Sequence, residues 1–267
     1  MEFSCGAPSI EGFDGGSHVE PVPGSAGLKG THCMSKFYWI LGAVAVLGLG
    51  IVGYQVGSGV ASQAATAPVD LGEIMDDPSE LMALARPVMK GDPDAAITLF
   101  EFADFQCPAC AVYARQHGNL VEQGYIDNGR VKLAFYDFPL ISVHPHAFLA
   151  ARAARCAEDQ GRFWEYHDRL FETQARWSPA GDPTSDFVGI AGDVGLEEGE
   201  FETCLNSDRH AELITAQMKL AEQLRVGGTP TLMLSQGGMG TRSRSFDFGT
   251  FYDALEEALA EEEPGAN

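Results

Sequence analysis

Two cysteines separated by two residues are the part of this sequence best suited to do chemistry. Cys107 and Cys110 enclose Pro108 and Ala109, and Glu101 lies six residues before the first cysteine, inside an apolar run. Such a pair is ambiguous by itself, because it fits a metal site, a structural crosslink or a redox centre. A carboxyl group in an apolar strand is costly unless it has a use.

The rest of the sequence argues against two of these three readings. A zinc site needs about four ligands, and hence a second close pair. Cys156 and Cys204 are far apart in the chain, and His144 and His146 are no better partners by spacing. A disulfide within four residues constrains the unfolded chain very little. We therefore expect neither a metal nor a mainly structural crosslink at the pair.

The elements around the pair follow from the apolar pattern. Residues 96–102 form a continuous apolar run with many β-favouring residues, as in a strand covered on both faces. Apolar residues then recur at helical spacing to about residue 124, and residues 131–138 predict a second strand. Strand, helix and strand at this spacing predict a βαβ unit with parallel strands.

The position of the cysteines in this unit favours a redox role. Cys107 falls where the strand ends and the helix begins, and Pro108 suits the first turn because it has no N–H to lose. Free N–H groups and the helix dipole stabilise a thiolate there, which makes Cys107 a better nucleophile and leaving group. Cys110 lies about one turn further along. We expect it to be more buried and to resolve a mixed disulfide.

A helical region and a final β-rich part complete the predicted domain. Helices are expected at residues 146–161, 162–172, 186–195, 197–206 and 208–228. Residues 229–235 and 243–248 predict a strand pair, and residues 250–260 predict a final helix. The predicted fold class is α/β in one domain: a βαβ unit, a helical insertion and a ββα unit.

Residues 91–113, GDPDAAITLFEFADFQCPACAVY, resemble the active-site region of DsbA-like thiol:disulfide oxidoreductases. These proteins have a thioredoxin-like fold and are often membrane-anchored. The resemblance continues through ARCAEDQGRFWEYHDRLF and RVGGTPTLML and covers about residues 90 to 260. Its motifs are specific in combination, and the amino-terminal part of the chain lies outside it.

The resemblance implies a role for each motif residue. Cys107 matches the attacking cysteine and Cys110 its partner. Thr229 and Pro230 match the loop in which such proteins keep a cis proline facing the disulfide. Glu101 matches the buried acid beneath the pair, which accepts the proton of the deeper thiol. From the residues alone, a surface acid at a strand edge and an ordinary trans proline remain the alternatives.

Ala109 departs from the family pattern, because the best-known strong oxidants carry histidine at this place. An alanine side chain offers a thiolate neither a hydrogen bond nor a charge. The strength of those oxidants is therefore not carried over to this chain.

The resemblance also implies a second disulfide, between Cys156 and Cys204, as in part of the family. Two buried free thiols are the alternative. Closing a loop of about fifty residues would stabilise the fold by ~4 kcal/mol in the chain-entropy model and would hold the helical insertion together. No cofactor and no metal are expected.

Composition limits the classes of partner. The chain has 17 basic and 38 acidic residues, a formal charge of −21, and is 45% apolar. Phosphate binding needs a basic face, so the charge argues against a nucleic-acid partner. The apolar fraction is ample for a core, and we interpret the acidic surplus as a solvated surface.

One amino-terminal segment determines the predicted location. Residues 37–54, FYWILGAVAVLGLGIVGY, carry no charge and follow Lys36. At about 1.5 Å per residue this helix nearly crosses a hydrocarbon core of roughly 30 Å. We expect an uncleaved, single-pass signal-anchor helix over residues 37–57, with a cleaved signal peptide as the alternative.

The remaining boundaries follow from this anchor. Residues 1–36 are expected to be a short disordered cytoplasmic segment, with translation beginning at Met34. Residues 58–90 are expected to be a linker with one short helix, residues 91–262 the DsbA-like domain, and residues 263–267 a disordered tail. The catalytic domain would then lie outside the cytoplasm, where disulfides persist.

Together these features predict a membrane-held, extracytoplasmic thiol:disulfide oxidoreductase. The predicted activity is that of a dithiol oxidase that introduces disulfides into exported proteins. The expected partners are exported protein thiols and a membrane redox partner that reoxidises or reduces the pair. The alternatives are a disulfide isomerase or reductase, and a redox-inert binding or chaperone module on the same fold.

Overall fold

The computed structural model describes residues 42, 44, 68–72, 77–236 and 248–262. The chain divides into two compact units, Met1–Tyr54 and Gln55–Asn267, and in the first unit only Gly42 and Val44 are described, both of them helical. Among the described residues, no helix combines the length and the apolar character that crossing a membrane requires. The predicted anchor over residues 37–57 thus lies outside the described residues, except for those two positions, as do the predicted segments 1–36 and 263–267.

A four-stranded mixed sheet forms the centre of the second unit. Its strands are β1 (Val88–Lys90), β2 (Ile97–Ala103), β3 (Val131–Asp137) and β4 (Thr231–Gln236), in the spatial order β1-β3-β2-β4. Strands β2 and β3 are parallel, and the other two pairs are antiparallel. The parallel pair confirms the predicted βαβ unit, with β2 in the interior of the sheet.

One helical segment, residues 108–126, connects β2 to β3, and we call it α2. It is α-helical at Pro108–Val112 and Asn119–Val121 and π-helical at Tyr113–Gly118 and Glu122–Ile126. The sequence predicts this helix from its apolar spacing. The wider π turns have no equivalent signal in the residue pattern, and such turns are frequent near functional sites.

The predicted helical insertion is confirmed between β3 and β4. Its members are α3 (Ala147–Asp159), α4 (Phe163–Glu172), α5 (Gln174–Trp177), α6 (Thr184–Asp193), α7 (Glu198–Leu205) and α8 (Ala211–Gln223). The four-residue helix α5 is too short for the sequence to predict it from periodicity. The chain then returns to the sheet through β4.

The sequence predicts a linker before Gly91, but part of this stretch belongs to the folded domain. The predicted short helix is present as α1 (Pro78–Leu84), and Leu81 is fully buried. Val88–Lys90 additionally pair with β3 as an antiparallel edge strand. Gly91 then turns the chain with φ +97°, and a Cβ atom there would lie 2.8 Å from Cγ2 of Ile126. Three strand residues are too few to show a two-residue period, so the sequence gives no sign of β1.

Helices cover both faces of the sheet. Phe100 and Phe102 of β2 pack in one cluster with residues of α1 and α8, whereas Ile97 and Leu99 pack in another with residues of α2 and of α9 (Phe248–Glu262). Successive strand side chains point to opposite faces. Glu101 therefore shares the face of Ile97 and Leu99, beneath α2.

The carboxyl-terminal part agrees with the prediction where it is described. Strand β4 and helix α9 confirm the predicted strand over residues 229–235 and the final helix. The second strand of the predicted pair, residues 243–248, lies outside the described residues except for Phe248. That residue begins α9, so a strand reaching residue 248 is wrong at its last position.

A disulfide joins Cys156 of α3 to Cys204 of α7. The pairing is the one that the family resemblance implies, and it excludes the alternative of two free thiols. The two cysteines are 48 residues apart in the chain, so the bond closes a long loop within the helical insertion. By the chain-entropy model a loop of this length is worth about 4 kcal/mol of stability.

A buried ion pair attaches the insertion to the sheet. Arg155 Nε of α3 lies 2.7 Å from Oδ2 of Asp137, the last residue of β3, and both side chains are almost completely buried. Gln217 of α8 joins the pair, because its Oε1 accepts the backbone N–H of Asp137 at 2.8 Å and an N–H of Arg155 at 3.2 Å. Removing one partner of a buried pair leaves an uncompensated charge, which typically costs about 3–5 kcal/mol.

Candidate active site

The two cysteines of the motif lie at the amino-terminal end of α2, directly after the carboxyl end of β2. Cys107 precedes the helix and Cys110 lies in its first turn, and both are free thiols. Their residues are 7% and 1% exposed, whereas Pro108 and Ala109 between them face solvent. Cys107 is thus the outer sulfur and Cys110 the deeper one, in the order that the sequence predicts.

The two thiols have opposite acidities. A hydrogen bond from the Cys110 thiol is the main reason that the pKa of Cys107 falls to about 5. Burial opposes this shift, while the Thr229 side chain and the backbone N–H groups of Cys110 and Ala109 add to it. The pKa of Cys110 is raised well above its usual value, chiefly because burial disfavours a second charge. At neutral pH the pair therefore holds one thiolate, on Cys107.

A cis peptide bond connects Thr229 and Pro230, immediately before β4. The carbonyl oxygen of Thr229 lies 3.4 Å from Sγ of Cys107 and accepts a hydrogen bond from the protonated thiol. Because the bond is cis, the alternative of an ordinary trans proline at Pro230 is excluded. The loop before β4 and the start of α2, 122 residues apart in the chain, meet at the outer sulfur.

The buried carboxylate of Asp104 organises the turn between β2 and α2. Its Oδ1 accepts the N–H of Gln106 at 2.7 Å, and its Oδ2 accepts the N–H of Leu140 at 2.8 Å and lies 2.7 Å from Nδ1 of His144. The backbone N–H of Asp104 points to Sγ of Cys110 at 3.5 Å. One side chain thus connects the cysteine turn with the loop that follows β3.

Two glutamines, Gln174 of the helical insertion and Gln106 of the turn itself, connect this turn to the insertion. The amide of Gln174 in α5 donates to the carbonyl oxygens of Phe105 and Cys107 at 2.7 and 2.9 Å. The side-chain oxygen of Gln106 accepts the backbone N–H of His146 at 2.7 Å. These bonds give a partner to the Phe105 carbonyl and add a second one to the Cys107 carbonyl, which also accepts the N–H of Ala111.

The residue pattern does not reveal these supporting residues. In the sequence His144 and His146 are candidates only for a metal site, whereas in the structure they contact the side chains of Asp104 and Gln106. Asp104 had a local signal, since an aspartate that accepts the N–H two residues on forms a recognisable turn. Gln174 had none, because it is 67 residues from Cys107 in the chain.

Glu101 is buried in the interior of the sheet. It lies on β2, between β3 and β4, and is 4% exposed, which excludes the alternative of a surface acid at a strand edge. Burial raises the pKa of Glu101 to about 8; the charge of Asp168 adds to the rise and that of Lys90 opposes it. The side chain is therefore mostly a neutral acid at pH 7.

A small cavity of about 30 Å³ adjoins Glu101 beneath α2. Tyr113 and Ala114, in the turn of α2 that follows Cys110, line it, but Cys110 itself does not. Lys90, which forms an ion pair with Glu122, is also part of the lining. The volume suffices for one water molecule.

The aromatic residues at the start of α4 divide between two environments. Phe163, Leu170 and Phe171 are buried in the core of the insertion. Trp164 is half-buried and lines the cavity beside Glu101, where the ammonium group of Lys90 lies 4.9 Å from its ring centroid. Trp164 thus borders the candidate site as well as the core.

A mixed sheet with a CxxC pair at a helix amino terminus and a cis proline facing the outer sulfur defines the class of thioredoxin-fold proteins. A comparison with family models agrees, because the model described as thioredoxin matches residues 85–253. The chain belongs to the thioredoxin family and, within it, to the DsbA-like thiol:disulfide oxidoreductases.

Similar proteins fall into two groups. The chain is 26% identical over 186 residues to the probable disulfide bond formation protein D of Bacillus anthracis, covering 69% of this chain and 83% of that one. It is 34% identical over 150 residues to the Na(+)/H(+) antiporter NhaA 3 of Salinispora tropica, covering 56% of this chain but only 22% of the antiporter. The matched region is therefore a small part of the antiporter.

A solved structure shows the same fold. The oxidised BdbD from Bacillus subtilis aligns with a TM-score of 0.57 and 23% identity, covering 69% of this chain and 96% of that one. At 23% identity the likeness shows only that the two proteins share a fold. The chemistry of the site is inferred from the residues of this chain.

The first prediction concerns the acidity of Cys107. In the reduced protein, the rate of Cys107 alkylation followed by mass spectrometry should rise with pH around a midpoint near 5. Cys110→Ala should raise this midpoint by about a unit or more, because it removes the largest stabilising contribution. Cys110→Ser keeps a hydrogen-bond donor and should raise it less. A wild-type midpoint near the ~8.5 of a free thiol would contradict the assignment.

The second prediction concerns Glu101. In a single-turnover assay, the rate at which Cys110 resolves a mixed disulfide on Cys107 should increase as pH rises through about 8, where Glu101 loses its proton. Glu101→Gln should abolish this inflection and slow the step by roughly 10²-fold at pH 8, the lower end for a general base.

Two further measurements distinguish proton transfer by Glu101 from a purely structural role of this residue. Asp168→Asn removes a charge that raises the pKa of Glu101, so it should move the inflection to lower pH without abolishing it. Glu101→Gln should also make the protein more stable at neutral pH. A folded-state pKa above the unfolded value of about 4.5 means that stability is lost as pH rises from there to about 8. An unchanged inflection in Glu101→Gln would assign the proton transfer to another group.

Proposed function

We propose that this chain is a dithiol oxidase that introduces disulfides into exported proteins through Cys107 and Cys110, outside the cytoplasm. The observation that carries the proposal is the opposite acidity of the two thiols, with a pKa of about 5 for Cys107 and a strongly raised pKa for Cys110. A stabilised thiolate stabilises the reduced form of the pair. The disulfide form is therefore a stronger oxidant than it would be without this stabilisation.

The reaction begins with the oxidised pair. A substrate thiolate attacks Sγ of Cys107, the Cys107–Cys110 bond breaks, and Cys110 leaves with the electron pair and takes up a proton. A second thiolate of the substrate then attacks the substrate sulfur of the mixed disulfide, and Cys107 leaves as a thiolate. The substrate loses two electrons and the pair gains them. A membrane redox partner must then reoxidise the pair.

Glu101 serves in this scheme as the proton donor and acceptor of Cys110. Since it is mostly protonated at pH 7, it can supply the proton that the departing Cys110 sulfur needs. In the reverse direction the carboxylate removes that proton. The cavity under α2 provides space for the water through which the proton would pass.

Thr229 and Pro230 serve in the same scheme as the backbone platform for the substrate. The Thr229 carbonyl lies 3.4 Å from the attacked sulfur, so an extended peptide can lie along this loop with its own sulfur beside Cys107. Pro108 and Ala109 are exposed on the other side of that sulfur. Because Ala109 supplies no charge or hydrogen bond, we expect an oxidant of intermediate strength.

The third prediction tests this function. Equilibration with glutathione should give the Cys107–Cys110 pair a potential between the roughly −270 mV of thioredoxin and −120 mV of DsbA. Cys110→Ala should accumulate mixed disulfides between Cys107 and exported proteins. The matched variant Cys107→Ala should accumulate none, because it lacks the attacked sulfur.

The outcomes distinguish the alternatives. A potential at or below that of thioredoxin would make the chain a reductase. A potential in the predicted range combined with rearrangement of scrambled disulfides would indicate an isomerase. Absence of any mixed disulfide in Cys110→Ala would leave only a redox-inert binding module.

We further propose that residues 37–57 anchor the protein in the cell membrane as a single-pass helix with the catalytic domain on the extracytoplasmic side. The charge-free run after Lys36 supports the anchor. The Cys156–Cys204 disulfide supports the location, because such bonds persist in oxidising compartments.

The fourth prediction concerns this anchor. The native protein should stay in the membrane pellet after an alkaline carbonate wash, and its amino-terminal sequence should begin at Met34 or Ser35. A mature start near Ala64 would show that the segment is a cleaved signal peptide. Peptides from residues 1–33 would show that translation begins at Met1.

A further inference from the structure

A second group of sulfur and nitrogen atoms lies in the helical insertion, around the Cys156–Cys204 disulfide. The two sulfurs and a ring nitrogen of His210 are all within 4.8 Å of one another. Oδ2 of Asp159 lies 3.0 Å from Nε2 of His210 and 3.7 Å from Sγ of Cys204. Three side chains, from α3, α7 and the residue before α8, thus lie close together, and the Asp159 carboxylate lies beside two of them.

A structural disulfide needs only its two sulfurs, so the histidine and the aspartate require a separate explanation. Cys156, Cys204 and His210 are buried, at 1%, 4% and 5% exposure. Thiolate, imidazole and carboxylate are each ligand types that tetrahedral Zn²⁺ takes.

The arrangement in the chain also fits a metal site. Cys156 and Asp159 are three residues apart on one helix, and Cys204 and His210 are six apart across a short connection. Zinc sites are commonly built from two such closely spaced ligand pairs. Neither pair belongs to the Cys107–Cys110 centre.

We propose that reduction of the Cys156–Cys204 bond converts this cluster into a Zn²⁺ site, with Cys156, Cys204, His210 and Asp159 as ligands. A small-molecule dithiol supplies two electrons and two protons, which break the S–S bond and leave two thiols, and the dithiol itself becomes a disulfide. Zn²⁺ then binds the two sulfurs as thiolates and releases their protons.

The geometry requires only a local adjustment. The Cα atoms of the two cysteines are 5.8 Å apart. With Zn–S distances of about 2.3 Å, tetrahedral coordination places the sulfurs about 3.8 Å apart, which small side-chain rotations can provide from the disulfide position. Arg209, whose Nη1 lies 2.8 Å from Oδ2 of Asp159, would remain beside the carboxylate and orient it.

The site would preserve the structure of the insertion when the disulfide is absent. The bond connects α3 to α7, and a metal held by the same cysteines and His210 would connect α3, α7 and the start of α8. Because a ligand that binds only the folded state stabilises it, Zn²⁺ should stabilise the reduced protein and leave the oxidised protein unaffected.

The fifth prediction is the test of this site. The background variant is Cys107→Ser/Cys110→Ser, because the reduced active-site pair could itself bind metal. After reduction and anaerobic removal of the dithiol, this protein should bind one Zn²⁺ per chain in competition with a chromophoric chelator, and Zn²⁺ should raise its Tm. Co²⁺ should give the thiolate charge-transfer and tetrahedral d–d absorption bands. The oxidised protein should bind no equivalent and show no change in Tm.

Single variants in this background identify the ligands. Cys204→Ser should abolish the thiolate bands of a two-sulfur site, and His210→Ala should weaken binding by more than about tenfold, since even outer partners of metal ligands contribute about 10–100-fold. His117→Ala, which removes a histidine of α2 outside the cluster, should bind as the background does. If His210→Ala does not fold, X-ray absorption of the zinc-loaded background should show two sulfur ligands and two N/O ligands. Equal binding by oxidised and reduced protein, or retained binding in Cys204→Ser, would overturn the proposal.

Discussion

The hydrogen bond from the Cys110 thiol to the Cys107 sulfur is the interaction on which the reactivity of the site depends. It is the largest contribution that lowers the pKa of Cys107, and it exists only while Cys110 keeps its proton. Burial ensures this, because a second negative charge beside the first, away from water, is strongly disfavoured. The difference in depth between two residues one helical turn apart therefore makes Cys107 the thiolate and keeps Cys110 protonated, as their proposed roles of nucleophile and resolving thiol require.

The surrounding structure holds that difference in depth constant. Asp104 and Gln174 fix the backbone before and at Cys107 by hydrogen bonds from opposite sides, one within the sheet end and one from the insertion. The insertion can do so because the buried pair of Arg155 and Asp137 attaches it to β3. The helical insertion thus contributes to the geometry of the candidate site, because Gln174 holds the backbone at Cys107.

The sequence predicts those features that local pattern determines. Apolar runs of seven or more residues reveal β2 and β3, and apolar residues at helical spacing reveal the long helices. The CxxC pair is recognisable because its position relative to a strand and a helix gives it chemical meaning. The three-residue strand β1 and the π turns of α2 have no period to detect. Gln174 is recognisable only after folding, since its partners are distant in the chain. What the sequence misses is consistently the support of the site and not its reacting atoms.

The order in which the buried acids ionise explains why a carboxyl group can remain beneath two thiols. Cys107 loses its proton near pH 5, Glu101 near pH 8, and Cys110 at still higher pH. Around neutral pH the two thiols and Glu101 together therefore hold one negative charge, on the sulfur that the helix terminus and Cys110 stabilise. A neutral Glu101 avoids most of the cost of a buried charge and keeps a proton available beneath α2, as its proposed role requires. Ionising Glu101 at lower pH would place a second buried negative charge on the inner face of this helix.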